Sequence, residues 1–213
     1  VRTALPAPHV EAMGGEMPLL FHTRTSVLVA TPMGLGALIR AERGAMIAGK
    51  VVERWEATMT RHGCTPVQHL GTDVLVAVCG APKAAERHAE RACAAALAAV
   101  EAINALADET GAALALSVGV ASGKLVTGAL GPARATMGVW GDALLRADAL
   151  MRAVPVGGGA LASEETLEAA ADGVWGRKST TRGQRQRLGF QPLEASARAA
   201  GSGEEPAFVL STR

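Results

Sequence analysis

The side chains of this chain that could carry chemistry fall into a few small groups. Cys64, Cys79 and Cys93 are its three thiols, and their odd number and spacings of 15 and 14 residues suit neither a disulfide framework nor a zinc site. A reducing, cytoplasmic setting is the expectation. Arg177, Lys178, Arg182, Arg185 and Arg187 interleave with Ser, Thr, Gly and Gln. Such a run could meet phosphate, but without interleaved aromatics for base stacking a solvated hairpin is favoured. Asp73, in the Gly71-Thr72-Asp73 interval, favours a turn conformation.

These groups must be positioned by one domain. A chain of 213 residues can bury one substantial core, and no second repeat or long linker interrupts it. Residues 1–22 mix Pro, Gly, Ala and polar residues without period and read as a flexible segment or linker, leaving 23–213 as the domain. The start at Val1, without an initiator Met, suggests a fragment of a longer protein, and abundant Ala and Gly with no Tyr suggest a bacterial source. Twenty-one basic against 20 acidic residues leave a formal +1, which gives no electrostatic case for nucleic acid or a charged membrane. No apolar run is long enough to span a bilayer, and no signal peptide is visible.

Periodicity then predicts the elements. Ser26–Ala30 is an apolar, β-branched run and reads as a buried strand. Over Ala37–His62 the residues Leu38, Ile39, Met46, Val51, Trp55 and Met59 recur at helical spacing, with Gly63 to end the helix. Thr65–Leu70 and Val74–Cys79 read as a hairpin around Gly71, Thr72 and Asp73. Lys83–Glu109, rich in Ala, Leu, Glu and Arg, is a second long helix stopped by Gly111. Leu114–Val120 and Lys124–Leu130 read as strands joined by a turn at Ser122 and Gly123, Asp142 as the cap of a helix to about Met151. A short helix at Glu164–Ala170 and a last strand at Ala207–Leu210 follow. The order gives an α+β fold, a ferredoxin-like β-α-β-β-α-β core with two helices on one face of a mainly antiparallel sheet and appended C-terminal elements.

Several of these segments resemble, in order, the class III adenylate and guanylate cyclase catalytic domain, over about 26–170. "HLGTDVLVAVCGAP" at 69–82 is similar to the family hairpin I-G-D-G-x-M-A-x-F-G-x-P and is followed by "ERHAERACAAAL". "LSVGVASGKLVTGALG" at 116–131 resembles R-x-G-I-x-x-G-x-V-x-x-G-x-x-G, and "VWGDALLRADAL" at 139–150 resembles V-x-G-D-x-V-N-x-A-x-R-L. Each motif alone is weak; four in correct order are specific.

The resemblance implies an active site at a dimer interface, with metal ligands from one subunit and a transition-state pair from the other. In the family two aspartates hold two Mg or Mn ions; "VLVATPMGLG" aligns Thr31 with the first, and the second falls on Thr72, with Asp73 displaced by one. A neutral hydroxyl is a poor substitute for a carboxylate around hard cations, and Pro32 has no N–H to offer a phosphate. The base-reading positions hold Gln68 and Gly138, remnants of a nucleotide pocket, and the family's Asn and Arg are replaced by Leu145 and Ala149. Arg146 and Arg152 lie off register on the helix and read as surface charges. Both half-sites are therefore altered, so the chain is expected to complete no active site by the usual scheme.

The expectation is a catalytically inactive cyclase homology domain, a pseudoenzyme acting as a dimerising regulatory or scaffolding module in signalling. Its partners would be a second copy, another cyclase-like domain, or other domains of a longer chain. No cofactor is expected, with Mg or Mn admitted only if Asp73 rescues the site. A non-catalytic nucleotide or cyclic (di)nucleotide sensor is the alternative, and a divergent active cyclase the second.

Overall fold

The computed structural model describes residues 19–38, 44–67, 73–130, 136–175, 188–192 and 207–212. The run at Ser26–Ala30 is the centre of a longer strand, β1 (Leu20–Met33), whose first residues fall within the segment 1–22. Val27 and Val29 are buried in one core cluster and Leu28 and Ala30 in another, so the strand is covered on both faces. That is why it reads as continuous apolar sequence and not as an alternation.

The helix expected over Ala37–His62 is two described pieces, α1 (Leu35–Leu38) and α2 (Gly44–Arg61). Ile47, Val51, Trp55 and Met59 recur every four residues on the buried stripe of α2, and Gly63 follows at a left-handed φ of 72°. Gly49 lies on the exposed side, where an added Cβ would meet nothing within 4 Å. Gly49→Ala is expected to stabilise the domain by about 1 kcal/mol, read as a higher urea midpoint, because it removes backbone freedom from the unfolded chain at no steric cost.

β2 (Thr65–Val67) and β3 (Leu75–Cys79) pair antiparallel as expected. The end of the stretch assigned to the first of these strands, together with Gln68 and Thr72, lies outside the described residues. α3 (His88–Thr110) begins five residues after the expected start at Lys83 and stops at Gly111, whose φ is 64°. Its buried face is made of Ala92, Cys93, Ala95, Ala96 and Ala99, small side chains that let the helix lie close to the sheet.

The turn expected at Ser122 and Gly123 does not exist. Residues Ala115–Leu130 form one strand, β4, in which Ser122 pairs with Ser26 and Gly123 with Thr25. β1 thus supplies the backbone partners that a turn would have had to find locally. Gly119 has a packing role: a Cβ there would stand 2.0 Å from the Ala147 carbonyl oxygen of helix α4 (Asp142–Arg152), which rests on the strand. The hairpin partner of β4 is β5 (Thr136–Trp140), a strand the sequence reading did not contain. Asp142 is also corrected: Gly141 is the N-cap of α4, without a side-chain cap bond.

β6 (Gly159–Ser163), α5 (Glu164–Trp175), β7 (Leu188–Pro192) and β8 (Ala207–Thr212) complete the described elements. The basic stretch at 177–187 lies outside the described residues. The strand order is β2-β3-β1-β4-β6-β8-β7, with β5 beside β4 and β4–β6 the parallel pair. Strands β1 to β4 with α2 and α3 on one face form the expected ferredoxin-like core of a mixed α+β fold. The core between sheet and these helices centres on Leu28, Trp55, Leu75, Ile103 and Leu116; α4 closes the other face over Val29, Val78, Leu125 and Leu161.

Candidate functional site

Near its C-terminal end β1 carries Thr31, half-buried and paired with Ser117, and Pro32, buried and paired with Leu116. By alternation Thr31 shares the face of Val27 and Val29, the one covered by α4. The β1–β3 ladder runs from Ser26–Cys79 to Ala30–Leu75. Asp73 lies two residues beyond that last pair, at the same end of the sheet as Thr31, and is exposed.

Asp73 stands in a bend ahead of β3, outside the ladder, so strand alternation does not fix its direction. Between Gly71 and Gly80 the chain has one residue more than the hairpin pattern. Counted forward from Gly71 the pattern's aspartate falls on Thr72; counted back from Gly80 it falls on Asp73. Gly80 follows directly on the paired strand, which makes the backward count the structurally anchored one.

The donors that can be placed here do not fit a pair of divalent cations. They amount to one carboxylate and one neutral hydroxyl, next to a proline without an N–H, a weak set of side-chain donors for two hard cations that prefer anionic oxygen. Among the described residues no three His, Cys, Asp or Glu side chains come together as a cation site.

On α4, Leu145 is 70% exposed and Ala149, one turn on, is half-buried. Neither offers a polar atom from its side chain. Gly138 is buried in β5 opposite Gly128 and has no side chain to read a base. Arg152 fits its reading as a surface charge, bonded to Asp148 at 2.8 Å. Arg146 differs: it is half-buried and ion-paired with Glu165 at the start of α5.

In the middle of β1 lies a buried polar chain that the sequence did not mark. The Ser26 hydroxyl is 2.8 Å from Nδ1 of His88 and 2.7 Å from the Ser122 hydroxyl, and the Thr25 hydroxyl donates to the Gly123 carbonyl. A serine in an apolar run and a histidine at a helix start carry no periodic signal. Burial, and then the nearby Arg24 guanidinium, push the His88 pKa below its ordinary 6.5. The folded state therefore keeps a neutral ring while the unfolded chain takes up a proton as pH falls past 6.5, so stability declines from there down to the lower folded pKa. His88→Gln is expected to flatten the fall in urea midpoint between about pH 7 and 5, leaving a residual slope from His62, which burial and Arg61 also depress.

The three cysteines are free and buried. Burial raises the Cys93 thiol to about 12, and a hydrogen bond with Cys79 raises Cys64. No described helix is long and apolar enough to cross a membrane.

A sequence model of the adenylate and guanylate cyclase catalytic domain matches residues 45–187, more than half of the chain. A comparison with curated protein sequences finds no match. Among solved structures, the guanylate cyclase domain of RhGC from Catenaria anguillulae, in complex with GTP, superposes with a TM-score of 0.72 at 21% identity, covering 91% of this chain and 99% of that one. A dimeric guanylyl cyclase domain of the RhoGC fusion protein from Blastocladiella emersonii gives 0.73 at 20% identity, covering 93% and 99%. The adenylyl cyclase CyaB from P. aeruginosa gives 0.72 at 15% identity, covering 92% and 97%. These likenesses concern the fold, and they agree with the sequence match: the chain belongs to the family of adenylate and guanylate cyclase catalytic domains.

Proposed function

We propose that this chain is a cyclase homology domain without cyclase activity, keeping the fold as a dimerising regulatory or scaffolding module in signalling. The observation that carries the reading is the side-chain chemistry at the matched positions. Thr31 has no charge, and Leu145 and Ala149 have no polar side-chain atoms with which to orient a ribose or meet phosphate. Losing one preorganised electrostatic group costs on the order of 100- to 1000-fold in rate, and here both the metal side and the transition-state side are affected.

Self-association is supported by what the surface exposes. Phe21, 78% exposed, pairs with Val126, which pairs with Trp140, 41% exposed, so a row of apolar side chains crosses β1, β4 and β5. Leu145 adds an exposed leucine on α4. Apolar surface of this kind on a soluble fold suits a protein contact. Leu145→Glu is expected to weaken self-association by about tenfold or more in sedimentation equilibrium, because it buries a charge in the contact, while the urea midpoint stays put.

In a second reading the old cleft binds a nucleotide or cyclic (di)nucleotide without cutting it, with Gln68, Thr72 and the glycine turns as remnants of the pocket. Calorimetry against ATP, GTP and cyclic mono- and dinucleotides separates this from a purely structural role. The decisive assay supplies ATP or GTP with Mn²⁺. No cyclic nucleotide is expected, and turnover that Asp73→Ala abolishes would overturn the proposal in favour of a divergent active cyclase.

A further inference from the structure

A cavity of about 430 Å³ opens beside Thr23–Thr25 of β1, within the size range of small-ligand sites. Ser26 lies five residues from Thr31 along β1, about 16 Å at roughly 3.3 Å per residue, so the cavity is separate from the cleft by Thr31 and Asp73. Its walls come from β1, β4 and the first turns of α3, α4 and α5.

The charge around it is unevenly compensated. Arg146 is paired with Glu165, but Arg24 and Lys124, both exposed at the rim, have no ion-pair partner among the described residues. Asp142 is the one remaining carboxylate in the lining. His88, 5% exposed, also lines the cavity; Ser26 holds its Nδ1, and its Nε2 has no protein partner among the described residues. When the Ser26 hydroxyl donates to Nδ1, the neutral ring carries its proton on Nε2, and the protonated ring carries one there in either case.

The helix starts add to this. α5 is capped, the Thr166 N–H donating to the Ser163 hydroxyl at 3.3 Å. α3, of 23 residues, and α4, of 11, begin at His88 and Asp142 in the cavity wall, and neither has a side-chain cap bond. Their first N–H groups and positive dipole ends favour an anion.

We propose that this cavity binds a small oxyanion, either inorganic phosphate or the phosphate group of a small phosphomonoester. Arg24 and Lys124 against the single free carboxylate of Asp142 leave the lining one positive charge in excess, and with the His88 ring and two helix starts without a side-chain cap beside them this suits a compact anion with several acceptor oxygens. Bound between Arg24 and His88, the anion would favour the protonated ring and oppose the effects that depress its pKa.

The test follows the His88 ring by NMR in the whole chain, titrated with inorganic phosphate and, separately, with AMP. A saturable ring shift and a raised His88 pKa are expected. The exposed-residue double variant Arg24→Gln/Lys124→Gln should fold normally and weaken binding by about tenfold or more, as loss of charge-assisted hydrogen bonds implies. AMP binding more tightly than phosphate assigns a phosphomonoester; equal or weaker binding assigns free phosphate. Absence of a saturable shift with both phosphate and AMP at millimolar concentration, or full binding in the double variant, overturns the proposal. Cyclase activity or its absence bears on neither outcome.

Discussion

Gly119→Ala is expected to destabilise the domain by about 3 kcal/mol or more, the upper end of what overpacking does. The added Cβ would stand 2.0 Å from the Ala147 carbonyl oxygen and 2.5 Å from the Met151 amide nitrogen. Both are backbone atoms of α4, so no side chain can swing away; the helix itself must leave β4. That movement would also open the cluster in which Ala143, Ala147, Leu150 and Met151 pack on Val27, Val29, Ala121 and Leu125. Domains of this kind have only about 5–15 kcal/mol in total, so the loss should appear as a large drop in urea midpoint. Gly49→Ala, with open space at its Cβ, is the matched control and should move the midpoint the other way. A Gly119→Ala midpoint within about 0.5 kcal/mol of the parent would mean that α4 is free to shift on the sheet.

Thr31→Asp is expected to raise affinity for Mn²⁺ by about 100-fold, measured by the loss of free Mn²⁺ signal in electron paramagnetic resonance. The parent offers one carboxylate, Asp73, at this end of the sheet; the variant offers two. A carboxylate about 4 Å from a cation gains roughly 4 kcal/mol per unit charge at an effective dielectric of about 20, and repulsion between the two carboxylates takes back part of it. Asp73→Ala in the Thr31→Asp background should return affinity to the parent level. Cyclic nucleotide formation should stay at background in the single variant, because Leu145 and Ala149 still supply nothing to the transition state. If Thr31→Asp gains no affinity, Thr31 is not where a metal ligand is missing and the proposed inactivity loses its main support.

Much of the fold is written locally. The four-residue recurrence of Ile47, Val51, Trp55 and Met59 requires a helix with one buried face, and the apolar run around Val27–Ala30 requires a strand covered on both sides. Glycine stops at Gly63 and Gly111 stand where left-handed backbone is needed. The misreadings have a common cause. Ser122-Gly123 has turn composition, yet it is the interior of a strand, because β1 lies alongside to accept its pairing. β5 is missed for the same reason: Thr136–Trp140 is short and glycine-interrupted, and only pairing with Val126–Leu130 makes it a strand.

The site divides similarly. That Thr31, Leu145 and Ala149 lack a carboxylate, an amide and a guanidinium is a property of residue type, and sequence alone determined it, together with membership of the cyclase family and the ferredoxin-like core. Where Asp73 stands is a matter of register. The paired strand ending at Gly80 anchors the backward count, and no local rule chooses between the two counts. The cavity lined by His88, Arg24 and Lys124 is still further from the sequence, since its walls meet only when β1, β4 and three helix starts converge. Local periodicity records which face of an element is buried. It does not record which distant element covers that face, and that is what the tertiary structure decided.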